Sequence, residues 1–338
     1  GGKVTIYGDV TATGNGTMPE NYPDTDGSGS ITITASDVDV YGTLTSASNT
    51  QGAKVKIPGI EDSAVTWTPG DINNPYASMA DIADRFAHTT GASAVDGNIT
   101  ITANGTPADV DGDGKIEADE VIGGNVNLYF GNKEQGLITT GGDLTVTGTG
   151  DVYVDSDLDI GGDLTLEGTG ADSEVVLDIT NIGQVQADNG TVTNALTGLH
   201  NFMHHFENNK SDTDKLITLN SASGDAKLAV DMWNYGTGAF DLNKYDDTEP
   251  NGHTLLQELQ NLNISASVIG NDGKVTTSYD AQDSTYIWVS SGEQLKNIQT
   301  YYKTETDAGR TTGILGYNFA LKNDINASDV EDYVAIGT

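Results

Sequence analysis

Two ten-residue segments constrain this chain more than any other feature. Gly141-Gly142-Asp143-Leu144-Thr145-Val146-Thr147-Gly148-Thr149-Gly150 and Gly161-Gly162-Asp163-Leu164-Thr165-Leu166-Glu167-Gly168-Thr169-Gly170 lie 20 residues apart and differ only at Val146/Leu166 and Thr147/Glu167. A repeat this short, with one or two strands per unit, buries its inward side chains only against neighbouring copies of itself, so such units stack. The spacing predicts a mainly β chain, a parallel β-solenoid with short helical insertions.

Short alternating runs elsewhere agree with that expectation: Val4-Thr5-Ile6-Tyr7, Ile31-Thr32-Ile33-Thr34, Val38-Asp39-Val40-Tyr41 and Ile99-Thr100-Ile101-Thr102 have the period of two that puts one face inward. Between the repeats, Val152, Val154, Leu158 and Ile160 share one parity, and Asp151, Tyr153, Asp155, Asp157 and Asp159 share the other. The first set reads as core and the second as a solvated face. Helical spacing interrupts the pattern at Ser78 to Phe86, within an excursion at about 78–88, and again at Asn194 to Phe206 and His253 to Leu262. A last short helix is expected from Glu293 to Tyr302, capped by Ser290 or Ser291. The expected organisation is a solenoid over 1–191, a mixed insertion or subdomain over 192–275, and a return to solenoid over 276–338.

Charge narrows the function. Fifty Asp and Glu face 15 Lys and Arg, for a formal net charge of −35. Polyphosphate backbones are repelled by such a surface, so nucleic acid is excluded as a partner. Self-repulsion favours a saline or cation-rich medium. There is no cysteine, hence no disulfide or thiol chemistry. No apolar run near 18 residues suggests direct membrane insertion. A start at Gly1-Gly2-Lys3 suits a processed chain or a fragment, and the seven Asn-x-Ser/Thr sequons, from Asn15 to Asn326, suit an exposed one.

The sharpest chemical signal is Asp109-Val110-Asp111-Gly112-Asp113-Gly114-Lys115-Ile116-Glu117-Ala118-Asp119-Glu120. It fits a twelve-residue calcium loop: Asp109, Asp111 and Asp113 at positions 1, 3 and 5, Gly114 at the sharp turn, and the Lys115 carbonyl at position 7. Glu117 follows at position 9 and a bidentate Glu120 at position 12. Ile116 is expected to point inward and anchor the loop. Several carboxylates converging without a metal repel one another, so the pattern calls for Ca2+. The loop resembles those of EF-hand and dockerin proteins, but strand-like runs flank it. A clamp is therefore expected in place of a sensor, because the helix pair that opens in a sensor is missing.

His200 and His204 stand four apart on an expected helix, beside His205 and Glu207, a spacing at which two imidazoles can share a metal. Asn201 occupies the place where a zinc hydrolase needs Glu, and packing with Phe202, Met203 and Phe206 is the expected role. No nucleophile motif, phosphate loop or dinucleotide fingerprint occurs, so the chain is not expected to be an enzyme. The alternative is a calcium-dependent polysaccharide-binding or polysaccharide-lyase β-helix protein.

The final stretch reads Tyr286-Ile287-Trp288-Val289-Ser290-Ser291, then Leu295 and Ile298, then Tyr317-Asn318-Phe319-Ala320-Leu321-Lys322-Asn323-Asp324-Ile325-Asn326-Ala327-Ser328, and ends Ile336-Gly337-Thr338. Residues 286–338 resemble the filamentous haemagglutinin-like exoproteins of two-partner secretion. The resemblance implies a right-handed parallel β-helix, export, and adhesion or surface structure. Its expected partners are further copies of itself, stacked head to tail as a fibre, or glycans and surface proteins of host or neighbouring cells. The expected location is secreted or cell-surface.

Overall fold

The computed structural model describes residues 2–14, 30–48, 97–116, 120–129, 137–182, 195–207, 215–233, 239, 255–270, 272–298 and 318–326. The expected helix near 78–88, Glu117 and the closing Ile336-Gly337-Thr338 lie outside them. Among the described residues the chain is mostly β.

In chain order the first strands are β1 (Val4–Ile6), β2 (Val10–Gly14), β3 (Ile31–Ala35), β4 (Val38–Val40), β5 (Leu44–Ser48), β6 (Ile99–Ala103), β7 (Thr106–Pro107) and β8 (Val121–Ile122). The repeat region supplies β9 (Val126–Tyr129), β10 (Leu137–Thr140), β11 (Leu144–Gly148), β12 (Val152–Asp155), β13 (Asp157–Ile160), β14 (Leu164–Gly168) and β15 (Glu174–Asp178). Then come helix α1 (Ala195–His205), β16 (Ile217–Ser221), β17 (Asp225–Val230), α2 (Leu255–Gln260), β18 (Ile264–Ile269) and β19 (Val275–Ser278). A single turn α3 (Ala281–Ser284), β20 (Thr285–Val289) and β21 (Asn318–Leu321) complete the series.

Strand pairing sorts these into three parallel ladders. The first is β1-β4-β9-β12-β15-β17-β20-β21. The second is β2-β5-β10-β13, and the third is β3-β6-β11-β14-β16-β18. One antiparallel contact, Asp225 with Val268, joins the first and third into a mostly parallel fifteen-stranded sheet, and β19 adds to it antiparallel. Residues between 192 and 275 thus extend both ladders through β16, β17 and β18.

Alternation explains the register. In the third ladder Ile99 and Ile101, Leu144 and Val146, Leu164 and Leu166, and Ile217 and Leu219 stack in columns and are fully buried. Each such side chain contributes about 1.5–3 kcal/mol on leaving water. A slip by one residue would turn the columns out to solvent, so register and burial enforce each other. The first ladder does the same with Val38 and Val40, Val126 and Leu128, and Val152 and Val154. On its outward face Tyr7, Tyr41 and Tyr129 stack at 5.1 and 4.8 Å between ring centroids, a cross-strand pairing that reinforces the register.

The repeat's Gly-Gly-Asp now has a reason. Leu144 pairs with Leu164, so 20 residues are one step along the third ladder. At the corner before each strand, an Asx side chain accepts the backbone N–H of the next step. Asn98 Oδ1 accepts from Asp143, Asp143 Oδ1 from Asp163, and Asp163 Oδ1 from Leu216, at 2.9, 2.9 and 3.0 Å. A second corner repeats the device with Asp37, Asn125 and Asp151, the last accepting from Glu174 N at 2.9 Å. The glycines let the corners nest: a Cβ on Gly161 would fall 2.4 Å from the Gly141 carbonyl oxygen. Gly161→Val is therefore expected to cost about 3 kcal/mol in urea unfolding, since backbone cannot yield as a side chain can. Gly8→Ala, whose Cβ meets nothing within 4 Å, is the near-neutral control.

One expectation fails at a corner. Parity placed Asp157 on the solvated face with Asp155 and Tyr153, but Asp157 is only 4% exposed. The chain bends at Ser156 as it passes from the first ladder to the second; Leu158 and Ile160 still face inward and Asp159 outward, so the departure is confined to Asp157 beside the bend. The cap expected before the last helix is present: Ser291 Oγ accepts from Gln294 N at 3.2 Å, opening a helix over 292–298.

Candidate metal-binding loop and carboxylate cluster

The acidic loop rides on a two-stranded antiparallel ribbon. β7 and β8 pair Thr106 with Ile122 and Pro107 with Val121, and Ala108 N–H donates to the Glu120 carbonyl at 3.1 Å. Two glycines turn the chain back, Gly112 at φ 79° and Gly114 at φ 85°, values that side-chain-bearing residues rarely adopt. Asp109 ties the turn from inside, its Oδ1 accepting from Gly112 N at 2.7 Å and its Oδ2 from Gly114 N at 2.8 Å. Glu120 Oε1 reaches across from the far end to Val110 N and Asp111 N, at 3.2 and 3.1 Å.

The carboxylates of Asp109, Asp111 and Glu120 each offer an oxygen within 4.8 Å of the others. Two oxygens on one calcium ion, at about 2.4 Å each, stand no more than about 4.8 Å apart, so the three fit a single ion. Asp113 is not brought into this group: its Oδ1 accepts from Lys115 N at 2.8 Å and its Oδ2 pairs with Lys115 Nζ at 3.0 Å. Ile116 does not anchor the loop as expected, being 59% exposed, because the ribbon stands out from the ladders and offers no core beneath it. No helix adjoins the loop on either side. The arrangement is a cluster of hard oxygen donors able to hold a metal ion.

The three histidines part company. His200 Nδ1 meets Glu258 Oε2 at 2.5 Å in a buried contact between α1 and α2. His204 faces solvent with Glu207 at 3.2 Å, and His205 Nε2 lies 3.2 Å from the Gly162 carbonyl. Phe202, Met203 and Phe206 on the same helix are buried. Among the described residues no histidine stands in a group that could share an ion.

A second cluster was invisible in the sequence. Asp178, at the end of β15, has no exposure, and four donors surround it. Its Oδ1 accepts from Thr180 N at 3.0 Å, and its Oδ2 from Trp288 Nε1 at 2.7 Å, Lys322 Nζ at 3.0 Å and Tyr153 O–H at 3.2 Å. The Lys322 ammonium also lies 5.6 Å from the centre of the Trp288 ring, a favourable cation–π distance. Asp155, one step beyond the Val154–Leu177 pair on the same face, accepts from the Asn181 amide. Burial and the Asp178 charge raise its carboxyl to about 6, against the lowering influence of Asn181 and Lys322. Burial, then the Asp178 and Asp155 charges, push the Tyr153 hydroxyl far above the phenol range, so it remains a donor. Residues 25 to 144 positions apart meet here, and only the ladder register brings them together.

No family model, curated protein or solved structure matches the chain. The reading of its function therefore rests on its own residues.

Proposed function

We propose that this chain is a secreted or cell-surface structural module, a right-handed β-solenoid shaft with calcium held at its ribbon loop, acting through repetitive adhesive faces and without catalysis. The observation that carries the reading is the order in which the chain visits the ladders. From β1 to β6 and again from β9 to β15, leaving aside the ribbon, successive strands fall in the first, second and third ladder in turn, and each circuit returns one strand further along. That order supports a coil. A barrel of adjacent crossovers would lay each new strand beside the last. Right-handed parallel crossovers are the rule, which favours that hand for the proposed coil, and each circuit would advance by one strand spacing, about 4.8 Å.

Calcium is the ion best suited to the loop because all its donors are oxygens on an exposed, glycine-hinged turn. Asp109, Asp111 and Glu120 would hold it, and Asp113, the Lys115 carbonyl and Glu117 complete the set expected from the loop's spacing. Copies of the chain, or glycans and surface proteins of other cells, are the partners such a shaft would meet. Its net charge of −35 directs it away from nucleic acid.

Small-angle scattering combined with thermal melting tests both parts. The eight strands of the longest ladder span only about 34 Å, so in calcium it is stacked copies that should scatter as a rod, lengthening as the concentration rises. Excess chelator should lower Tm, since an ion at a hundred times its Kd stabilises the native state by about 2.7 kcal/mol. A particle that stays compact at every concentration would sink the shaft; a Tm indifferent to chelator would sink the calcium site.

A further inference from the structure

A chain without cysteine has no disulfide to lock its ladders, yet one partly buried contact has the parts of a different covalent lock. The Lys322 ammonium stands 3.0 Å from the carboxylate of Asp178, 144 residues away. Lys322 follows the last described strand of the first ladder, and Asp178 closes a strand three places back along it. We propose that Lys322 and Asp178 join in an intramolecular isopeptide bond, a staple that the fold closes by itself.

The chemistry balances without an oxidant or any other reactant. The Lys322 Nζ–Asp178 Cγ bond forms and one Cγ–O bond breaks. Two of the three ammonium protons depart with that oxygen as a single water. Each requirement of the step has a group in place. The nucleophile and the acceptor carboxylate are held in contact where Asp178 is shut off from solvent, which replaces a bimolecular encounter by a positioned one. Trp288 Nε1–H and Tyr153 O–H both donate to Oδ2, the oxygen on which negative charge gathers in the tetrahedral intermediate, so they serve as its oxyanion donors. Oδ1, held by Thr180 N–H, is the oxygen that leaves.

Protons must also move, because the amine attacks only after losing one. Asp155 is the neighbouring group fitted to hold that proton: its carboxyl titrates near neutrality, at about 6, and it feels the charges of both Asp178 and Lys322. It acts as a positioning residue for the proton, with Asn181 fixing its carboxylate. The inference stands apart from the shaft reading, since it needs only the first ladder.

Intact-mass spectrometry of the full folded chain tests it. The expected mass is below that of the sequence by one water, about 18 Da, and trypsin should release one branched peptide joining the segments around 178 and 322, uncut after Lys322. Asp178→Asn should reach the same final mass by losing ammonia in place of water. Lys322→Arg keeps the cation but should show its full sequence mass. Asp155→Asn should fold with an unchanged spectrum yet form the staple more slowly, and with a flattened pH profile. A folded chain that keeps its sequence mass overturns the proposal. So does a water loss that survives Lys322→Arg and maps to a succinimide at Asp111–Gly112 or Asp113–Gly114. Equal staple rates in Asp155→Asn and the parent would remove Asp155 from the step.

Discussion

Asp178→Ala is expected to lower stability by about 3–5 kcal/mol, because removing one partner of a buried charged contact leaves the others stranded. Trp288 Nε1–H and Tyr153 O–H would lose their acceptor inside the fold. Lys322, its side chain 37% exposed, can turn to water and softens the loss. The measurement is urea unfolding in a Lys322→Arg background, where no covalent link can form, so the change reports the hydrogen bonds alone. A double-mutant cycle with Trp288→Phe then separates the indole contribution. A loss below about 1 kcal/mol would mean that the cluster relaxes into water and does not hold β20 and β21 to the ladder.

Asp155→Asn is expected to do the reverse and stabilise the protein at neutral pH. The folded carboxyl titrates at about 6, above its ordinary value of 3.8, so the native state binds more protons than the unfolded chain between those values. Its contribution to stability is complete below about pH 4 and is lost as the pH rises through about 6, a span worth on the order of 1–3 kcal/mol. Asparagine carries no charge to bury. The variant should therefore gain that amount near pH 7.5 and lose the slope between pH 4 and 7. Denaturant midpoints across that range, measured in the Lys322→Arg background where Asp178 keeps its charge, decide it: parallel curves for the two proteins would show that the Asp155 charge is well solvated after all.

Much of the architecture was legible without coordinates because it depends on a local period. Leu144, Val146, Leu164 and Leu166 announce a stacked strand by alternation and by a 20-residue echo, and the structure pairs them as that echo requires. Ser291 announces a helix start in the same local way. The loop from Asp109 to Glu120 gave its turn and its donors, and three of those carboxylates converge. Its spacing alone could not say that Asp113 would turn to Lys115 or that Ile116 would stay in water, because both depend on whether a core lies beneath the loop.

What the sequence determined by itself was periodicity: β-strands with one apolar face, glycine and Asp at the corners, an acidic surface and an acidic, glycine-hinged loop. These are consequences of neighbours within a few residues, where steric and hydrogen-bonding rules act directly. What only the tertiary structure decided was which residues from distant strands share a face. Asp155, Asp178, Trp288 and Lys322 carry no common motif, and Asp157 beside the Ser156 bend is buried against its parity. Register over five strands of one ladder places them together, and burial there changes their chemistry, since a carboxylate's charge is costly only where water has been displaced.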